Sequence, residues 1–523
     1  MKNRSFFAEW KSDLPSGLVV YLVALPLCLG IAAAATGRPD LLFSGVIAGI
    51  VGGIVVGSFS DSQLGVSGPA AGLVTIVLTG ISTIGSFEAF LLAVVLAGAI
   101  QFIAGVLKAG VIGYYFPSSV IKGMLAAIGI TLILKQLPHA LGYDKDLMGN
   151  MDFATQDHHN TFTELYYAIK FSSMGAIVIA IASLLLLVLF DKPFMKKFGL
   201  FKFLPGSLIV VSIGIFTNIA FQVWNPSLAL SGDHLVQLPV ADSIADFVGF
   251  FTLPDFSQLT NWKVYQFAFT LALVASLESL LSVEATDKLD PFKRNTSTNK
   301  ELKAQGLGNM VSGMLGGLPV TQVIVRSSAN INAGGKTKLA TIIHGIILLL
   351  SAIFIPKYLN YIPMASLAAI LLLVGYKLTQ FSLIKGMYRL GWEQFIPFAV
   401  TIIAIISTDL LRGIAVGLCV AIFYIIRKNH NHSYRYEKVA EAGKDSIRLT
   451  LSEEVSFLNK GSIWGMLHNL PNGSKVIVDG SRSAYIDYDV VEALHDFKNH
   501  SAVLKNVTVE LIGIPETEKV GTH

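Results

Sequence analysis

The chain has 523 residues, of which 53% are hydrophobic and 14% are charged, and its mean hydropathy is +0.62. Because soluble globular chains carry roughly 25% charged residues, this composition predicts a polytopic protein embedded in a lipid bilayer. A net charge of +4 without a basic stripe excludes nucleic acid as a partner, and the two cysteines, Cys28 and Cys419, lie in apolar runs, which excludes a disulfide framework or a thiolate metal site.

Seven hydrophobic segments are predicted in the first half of the chain. They are 13–35, 41–59, a half-helix at 68–79, 89–107, 117–137, 176–190 and 205–221. The amino terminus is basic and has no signal-peptide cleavage pattern, so we expect it to remain in the cytoplasm. A lysine-rich loop at 191–203 indicates the cytoplasmic side. The polar loop at 138–163 is expected outside, and no metal-ligand spacing surrounds its His158-His159 pair.

Seven further segments are predicted in the second half, inverted relative to the first. They are 263–283, 302–315, the stretch 317–336, 339–355, 364–374, 395–406 and 410–426. The stretch 226–261 has no lysine or arginine and is expected outside, whereas basic loops follow 263–283 and 364–374. With each half-helix counted as one crossing, every strongly basic loop lies on the side of the amino terminus. The fold class predicted is a polytopic α-helical membrane protein with an inverted repeat of seven plus seven segments.

Two stretches rich in small residues interrupt this apolar pattern, one in each half. The first, 65–72, contains a glycine and a proline and runs into a short apolar segment. The second, 317–336, is too polar to cross a bilayer as an ordinary helix, and it contains Arg326. Irregular backbone at membrane depth is tolerated only where it is buried in protein or lines a water-filled cavity. A lone arginine at that depth is costly and marks a substrate path.

Each of these stretches predicts a half-helix, and the two amino-terminal ends are expected to face each other. Such an end has unpaired N–H groups and roughly half a positive charge, which suits an anion. The predicted substrate-binding residues are Ser67, Gly68, Pro69, Ala70, Val325, Arg326 and Ser327. The alternative is that both stretches are packing faces between helices. Likewise, the hydroxyls of Ser327, Ser328 and Thr75 either contact the anion or bond back into their own helices.

Beyond residue 428 the composition becomes that of a soluble domain. Segments 446–451, 476–479 and 507–512 are β-rich, while 463–470 and 490–497 have helical amphipathic patterns. The alternation predicts a small α/β domain on the cytoplasmic face. The predicted domains are therefore 1–430, which is the transmembrane transporter domain, and 431–523.

A series of motifs then runs along nearly the whole chain in a recognisable order. They are Asp13-Leu14-Pro15-Ser16-Gly17 with Pro26, Ser67-Gly68-Pro69, Leu277-Glu278-Ser279-Leu280-Leu281, Asn299, Glu301-Leu302, Ala304-Gln305-Gly306, Asn309, Gly316-Gly317, Pro319, Arg326-Ser327, Gly335, Thr337 and Thr408-Asp409-Leu410-Leu411-Arg412-Gly413. In these the chain resembles the SulP family of sulfate-permease-like inorganic anion transporters. The resemblance implies core and gate subdomains that move against each other, an anion held between the half-helices, a cytoplasmic STAS-like domain and a homodimer.

By the same resemblance, Glu278 has the position of the family's membrane-embedded acid and Arg326 that of the basic residue at the second half-helix. When protonated or ion-paired, Glu278 would admit an anion, and when bare it would repel one. We therefore expect H⁺ or Na⁺ as a coupling ion and no other cofactor. The alternative is a structural role for Glu278, as a partner of Arg326 or as a cap of backbone groups.

The chain also departs from the family pattern. Where many members have glutamine after the first-span proline, it has Leu27-Cys28, which resembles a bacterial branch and suggests bicarbonate as a substrate. Val325 stands where some members have serine, so a backbone N–H is expected to serve there. In the STAS-like domain Tyr488 follows Asp487, which excludes serine phosphorylation at that position but leaves a nucleotide or a cytoplasmic partner open.

The sequence thus predicts a dimeric secondary transporter of small inorganic anions, sulfate or bicarbonate, working by an elevator-like shift. We expect it in the bacterial inner membrane with both termini in the cytoplasm. Two alternatives are a nucleobase permease of the same architecture and an anion-binding sensor that signals through the STAS-like domain. An enzyme is not expected, because no nucleophile-base arrangement, phosphate-binding loop or metal-ligand cluster appears.

Overall fold

The computed structural model describes residues 9–145, 160–192, 206–240, 244–379, 381–431, 434–441 and 444–516. The chain divides into two compact units, Met1–Leu418 and Cys419–His523. This division lies inside the long helix Leu410–Asn431, whereas the predicted domain boundary at 430/431 lies at its end. The lysine-rich part of the loop at 191–203 and the His158-His159 pair lie outside the described residues.

In the described part of its first half, the transmembrane unit has eight helices. They are α1 (Trp10–Thr36), α2 (Phe43–Phe59), α3 (Ala71–Ile84), α4 (Phe87–Val106), α5 (Ser118–Leu141), α6 (Thr161–Lys170), α7 (Met174–Asp191) and α8 (Gly206–Trp224). The chain bends by 111° between α6 and α7. Because α6 is a short piece at the start of the sixth segment, the described part of this half has the seven segments predicted.

The second half repeats this order. Its helices are α9 (Trp262–Leu289), α10 (Thr298–Leu315), α11 (Ile324–Asn332), α12 (Leu339–Phe354), α13 (Met364–Thr379), α14 (Phe381–Arg389), α15 (Trp392–Ser407) and α16 (Leu410–Asn431). Short helices at Ile244–Gly249 and Pro356–Leu359 lie in the connections. The predicted inverted repeat of seven plus seven segments is confirmed, with α3 and α11 as the half-helices.

The structure corrects two of the predicted bounds. The first half-helix begins at Ala71 and not at 68, because Ser67–Pro69 forms a short strand. The helix predicted at 364–374 continues to Thr379, because its last turn packs on α5. There a Cβ on Gly375 would lie 2.9 Å from the carbonyl oxygen of Gly129, so glycine permits the close approach of the two helices.

Small residues bring other helices equally close. A Cβ on Gly98 of α4 would lie 2.6 Å from the carbonyl oxygen of Gly306 on α10, and a Cβ on Gly306 would lie 2.5 Å from the backbone nitrogen of Phe102. Close contact of backbones is the usual basis of helix association in lipid, where burial of apolar side chains gives no driving force. The pair of α4 and α10 therefore forms a rigid support inside the transmembrane unit.

The C-terminal unit is an α/β domain. Its main sheet has the order β3 (Tyr434–Glu441), β4 (Lys444–Leu451), β6 (Lys475–Asp479) and β8 (Thr508–Ile512), and β5 (Glu454–Val455) pairs with β7 (Tyr485–Ile486). β3 and β4 are antiparallel, and the other pairs are parallel. Helices α17 (Lys460–His468) and α18 (Tyr488–Asp496) bury Leu467, Val490 and Leu494 in its core. A short helix, Ala502–Leu504, precedes β8.

Asp479 at the end of β6 joins this sheet to the following loop. Its carboxylate accepts hydrogen bonds from the hydroxyl and the backbone N–H of Ser481, at 2.6 and 3.0 Å, and pairs with Arg448 at 2.7 Å. The hydrogen bonds from Ser481, together with the Arg448 guanidinium, lower the pKa of Asp479 to about 2. The carboxylate's contribution to stability is therefore present above its unfolded pKa of about 3.9 and is lost as the pH falls through about 2.

We expect Asp479→Asn to loosen this sheet at neutral pH, because the amide replaces a charged partner of Arg448. Hydrogen exchange of backbone amides in 475–490 of the full chain should be faster in the variant at pH 7, and the difference should shrink as the pH is lowered from 4 toward 2. Glu437→Gln is the control, since Glu437 pairs with Arg435 at an exposed surface position, where ion pairs contribute little. Equal exchange in D479N and wild type at pH 7 would contradict the expectation.

Candidate functional site

Two short extended segments, β1 (Ser67–Pro69) and β2 (Val320–Gln322), cross inside the transmembrane unit. They pair antiparallel, with Ser67 opposite Gln322, and every residue of both strands is buried. α3 follows β1 and α11 follows β2, so the two half-helices leave the crossing in opposite directions. Their amino-terminal ends therefore meet at the crossing, as the two interrupted stretches of the sequence predict.

Side chains of α10 hold the two strands from one side. The amide of Asn309 accepts the backbone N–H of Val320 at 2.6 Å and donates to the Val320 carbonyl at 2.9 Å. One turn earlier, Nε2 of Gln305 donates to the Ser67 hydroxyl at 2.7 Å and to Glu301 at 2.8 Å. Backbone groups of a broken segment have no water partner inside a bilayer. The Asn309 amide therefore makes the hydrogen bonds to Val320 that helical backbone would otherwise make. The Ser67 hydroxyl is thus already bound by protein.

Arg326 lies in the first turn of α11 and is fully buried. Within the described residues, no oxygen or nitrogen atom hydrogen-bonds to its three guanidinium nitrogens, and the thiol of Cys28 contacts the group. The guanidinium packs directly on Gly68, where an added Cβ would lie 2.0 Å from Nη1. A buried charge without a partner is costly, and in membrane proteins such a group marks a functional site. A side chain at position 68 would force the guanidinium to move.

The amino-terminal ends of the two half-helices are open. Neither Ala70, before the first half-helix, nor Val323, before the second, makes a side-chain capping hydrogen bond. Pro69, Ala70 and Val325 are buried and apolar, so they present only backbone groups and shape to the site. The first N–H groups of a helix lack internal partners and carry partial positive charge. The end of α11 can therefore bind an anion through backbone N–H groups, whereas at the end of α3 the Glu278 carboxylate already contacts the N–H of Gly72.

The serine hydroxyls of α11 bond to the backbone. Ser327 accepts the N–H of Val66 at 3.0 Å and donates to the carbonyl of Val323 at 2.8 Å, while Ser328 donates to the carbonyl of Val325 at 2.8 Å. Of the two roles considered for these hydroxyls, the geometry matches bonding back into the structure. Ser327 links the second half-helix to Val66, the residue that precedes β1. Thr75 of α3 is exposed.

Glu278 of α9 lies at the start of the first half-helix. Its carboxylate contacts the backbone N–H of Gly72, and a Cβ on Gly72 would lie 3.1 Å from Oε2. Glu278 is buried, and within the described residues its Oε2 has no hydrogen-bond partner. The carboxylate of Glu278 therefore contacts a backbone N–H at the helix end. It does not pair with Arg326, the other structural partner proposed from the sequence. Glu278 contacts position 72 and Arg326 contacts position 68 of the same short segment.

Sequence reasoning gave no role at the site to the polar residues of α10. Glu301, Gln305 and Asn309 are fully or almost fully buried and are spaced four residues apart, so they form one polar stripe along the helix. Polar residues repeated every four positions in a membrane helix could have indicated this stripe from the sequence, because polar groups in membrane helices face the protein interior.

Two further buried side chains lie close to Arg326. Cys28 of α1 and His344 of α12 are both fully buried and interact electrostatically with the guanidinium. Cys28, at the departure noted in the sequence, therefore places a thiol beside the guanidinium. Among the described residues, no three His, Cys, Asp or Glu side chains are grouped so that they could hold a metal ion.

A cavity of about 530 Å³ lies between α5 and the carboxyl end of α9, on the side of the basic loops. Among its lining residues are Lys122, Lys288 and Lys293, together with Glu284 and Asp287. Three lysines against two acids give this vestibule a positive balance, which raises the local concentration of anions.

The chain is similar to known anion transporters. Residues 10–404 match the model of the sulfate permease family. The chain is 28% identical to the putative sulfate transporter YvdB of Bacillus subtilis, covering 80% of this chain and 74% of the relative. It is 27% identical to the bicarbonate transporter BicA of a Picosynechococcus species, covering 86% of this chain and 76% of the relative.

Two solved structures have a similar fold. The murine solute carrier 26 family member A9 anion transporter in the inward-facing state has a TM-score of 0.66 at 15% identity, covering 99% of this chain and 86% of that chain. The transmembrane domain of a cyanobacterial bicarbonate transporter BicA has a TM-score of 0.53 at 22% identity, covering 80% of this chain and 99% of that chain.

We expect Gly68→Ala to disrupt the site, because the new methyl group overlaps the Arg326 guanidinium. Overpacking of a buried position costs about 1–3 kcal/mol, so the thermal unfolding midpoint of the purified protein should fall. Gly386→Ala on α14 is the matched control, since a Cβ there meets no atom within 4 Å. An unchanged midpoint in G68A would show that the arginine does not pack on this glycine.

Proposed function

The chain belongs to the sulfate permease family, and we propose that it is a secondary active transporter of a small inorganic oxyanion, sulfate or bicarbonate. The proposal assigns the binding site to the crossing of β1 and β2, between the ends of α3 and α11. The relatives are named as sulfate or bicarbonate transporters, which supports both candidate substrates. The family consists of transporters, and the protein is not an enzyme.

The observation that carries the proposal is the buried guanidinium of Arg326, which has no acidic partner among the described residues, at the meeting point of the amino-terminal ends of α3 and α11. A full positive charge and two half charges of the helix ends act at one place of low dielectric. Arginine also presents several N–H donors in a planar fork, which matches the oxygens of a carboxylate-like or tetrahedral oxyanion. Backbone N–H groups near Val325 and Ala70 would complete the shell around the anion.

The site is closed in this structure, because Arg326 and its neighbours are buried. Transport requires that it open to each side in turn. We propose that the core subdomain, which carries the crossing, moves like an elevator against the gate subdomain. The basic vestibule between α5 and α9 would then be the cytoplasmic end of the pathway, since it lies beside the basic residues Lys288 and Lys293.

Glu278 is proposed as the coupling residue. Its carboxylate contacts Gly72, four residues from the glycine that supports Arg326, so its charge acts on the segment that also binds the anion. A bare carboxylate there would oppose anion binding, and a proton or a sodium ion at Glu278 would remove that opposition. H⁺ or Na⁺ is therefore the proposed coupling ion.

The remaining parts of the proposal concern the setting of the protein. We place it in a bacterial inner membrane as a homodimer, with both termini in the cytoplasm. The α/β unit of residues 431–523 is proposed to be STAS-like and to bind a cytoplasmic partner or a nucleotide. Its strand order and its helices are those of a separate folded unit, which supports a role apart from the transport path.

We expect Arg326→Gln to abolish uptake. Loss of two charge-assisted hydrogen bonds, at roughly 1.5 kcal/mol each, weakens anion binding by about 100-fold. The measurement is uptake of radiolabelled sulfate and bicarbonate into proteoliposomes, with sodium and proton gradients imposed separately. Arg38→Gln is the matched control, because Arg38 is exposed and pairs only with Asp40 at the surface. Uptake by R326Q at the wild-type rate would refute the site, and inhibition by uracil would favour a nucleobase permease.

We expect Glu278→Gln to separate anion movement from the coupling gradient. The amide cannot change its charge, so accumulation driven by a proton or sodium gradient should be lost, while exchange of internal for external anion continues. Glu88→Gln is the control, since Glu88 is exposed in the first turn of α4. Gradient-driven accumulation by E278Q at the wild-type level would show that another group couples the ion.

A further inference from the structure

A histidine in an apolar helix lies beside the proposed site without a role. His344 is in the second turn of α12, where its neighbours along the helix are apolar, and it is fully buried. Neither of its two ring nitrogens has a hydrogen-bond partner among the described residues. A buried polar group without a partner costs about 1–3 kcal/mol, so two such atoms on one ring require an explanation.

The helix that carries His344 is fixed against the crossing. The hydroxyl of Thr341, three residues earlier and on the same helix face, donates to the carbonyl of Gly65 at 2.9 Å. Gly65 lies two residues before β1. Next to His344, a Cβ on Gly345 would lie 2.9 Å from the backbone nitrogen of Ile54 in α2. The imidazole is therefore held at the depth of the broken backbone.

The titratable groups around the imidazole come from two neighbouring helices. Arg326 of α11 interacts with it electrostatically, and Cys28 of α1 interacts with the same guanidinium. Tyr21 of α1 lies further along α12, where it contacts Ser351. α2 has no titratable residue, and its Gly49 approaches both the Cys28 sulfur and Leu348 of α12. His344, Cys28 and Arg326 therefore form one buried cluster, which we call the cationic cluster.

Among the described residues, the five nitrogens of the guanidinium and the imidazole have no oxygen or nitrogen hydrogen-bond partner, and the Cys28 thiol contacts the guanidinium. Three belong to Arg326 and two to His344, and both side chains are fully buried. A second full charge next to an unpaired guanidinium is unfavourable in a medium of low dielectric, so we take the imidazole as neutral. A neutral imidazole still has one N–H donor and one acceptor. Its donor complements the same kind of ligand as the arginine, an anion with several oxygens.

We propose that His344 binds the transported oxyanion beside Arg326 and donates a hydrogen bond to it. This inference rests on the proposed function. It extends that function by adding a neutral hydrogen-bond donor of fixed direction to the charged donor, Arg326. Arg326 supplies charge, while His344 sets the position of one oxygen of the anion relative to the guanidinium. His344 is in this way a specificity-determining residue of the site.

The experiment measures binding of radiolabelled sulfate and bicarbonate to the purified full chain and its variants. His344→Leu removes both ring nitrogens and should weaken binding about tenfold, the value of one hydrogen bond to a charged group. His344→Gln keeps an N–H donor and should stay within about threefold of wild type, because a side-chain amide also donates. Rescue by glutamine is a readout that a purely structural role of the ring would not give.

His139→Gln is the control for loss of a buried histidine. The ring of His139 is buried on α5 but has a partner, the carboxylate of Asp144 at 2.6 Å, far from α12 in the sequence. It should bind both anions as wild type does. If H344L does not elute as a folded protein, His344→Asn replaces it, since the shorter amide fits the space and has no donor at the position of the ring's Nε2.

The outcomes separate the inference from the proposed function. Weakened binding in H344L, or in H344N, with rescue in H344Q supports the inference. If R326Q loses binding while H344L, or H344N in its place, binds as wild type, the site stands and the role of His344 is refuted. Equal loss in H344Q and H344L also overturns it, because a hydrogen-bond donor would then not suffice. If wild type binds neither anion, the proposed function fails and the inference fails with it.

Discussion

The crossing of β1 and β2 is the constraint on which the rest of the transmembrane unit depends. Two pieces of backbone stop being helical at membrane depth, and each must find hydrogen-bond partners without water. They find them in each other, through antiparallel pairing, and in the Asn309 amide of α10, while Gln305 of the same helix bonds the Ser67 hydroxyl. The polar stripe of α10 and its close glycine packing on α4 follow from this need. The two open helix ends follow as well, because a helix that starts at a strand crossing begins inside the protein.

The position of the Arg326 side chain is set by contact with backbone and not by an ion pair with an acid. It packs on Gly68, and the described carboxylates leave it unpaired, so its charge is available to a ligand. Glu278, the nearby buried acid, contacts Gly72 instead. The two charges therefore act on opposite ends of one five-residue segment without neutralising each other. This arrangement allows an ion at the acid and an anion at the arginine to favour each other through a shared piece of backbone.

Much of this architecture could be predicted from the sequence, because hydropathy, loop charge and two interrupted stretches all depend on the bilayer. Arg326 stood out since a lone charge in an apolar chain is rare. Two features could not be predicted. Whether Ser327 points to a ligand or to Val66 depends on a contact between residues 261 positions apart. The partner of Glu278 likewise depends on how α9 lies against α3, which no local pattern specifies.

Selectivity in the proposed site cannot come from charge alone. One guanidinium and two helix ends supply about two positive charges, which balance either a singly or a doubly charged oxyanion acceptably. Discrimination between sulfate and bicarbonate must then depend on hydrogen-bond donors of fixed direction and on the space between those donors. Cys28 of α1 and His344 of α12 interact electrostatically with Arg326, and the glycines of α2 set how closely those helices approach. In the proposed site, the packing of small residues would then determine which anion fits more than the charged residue itself.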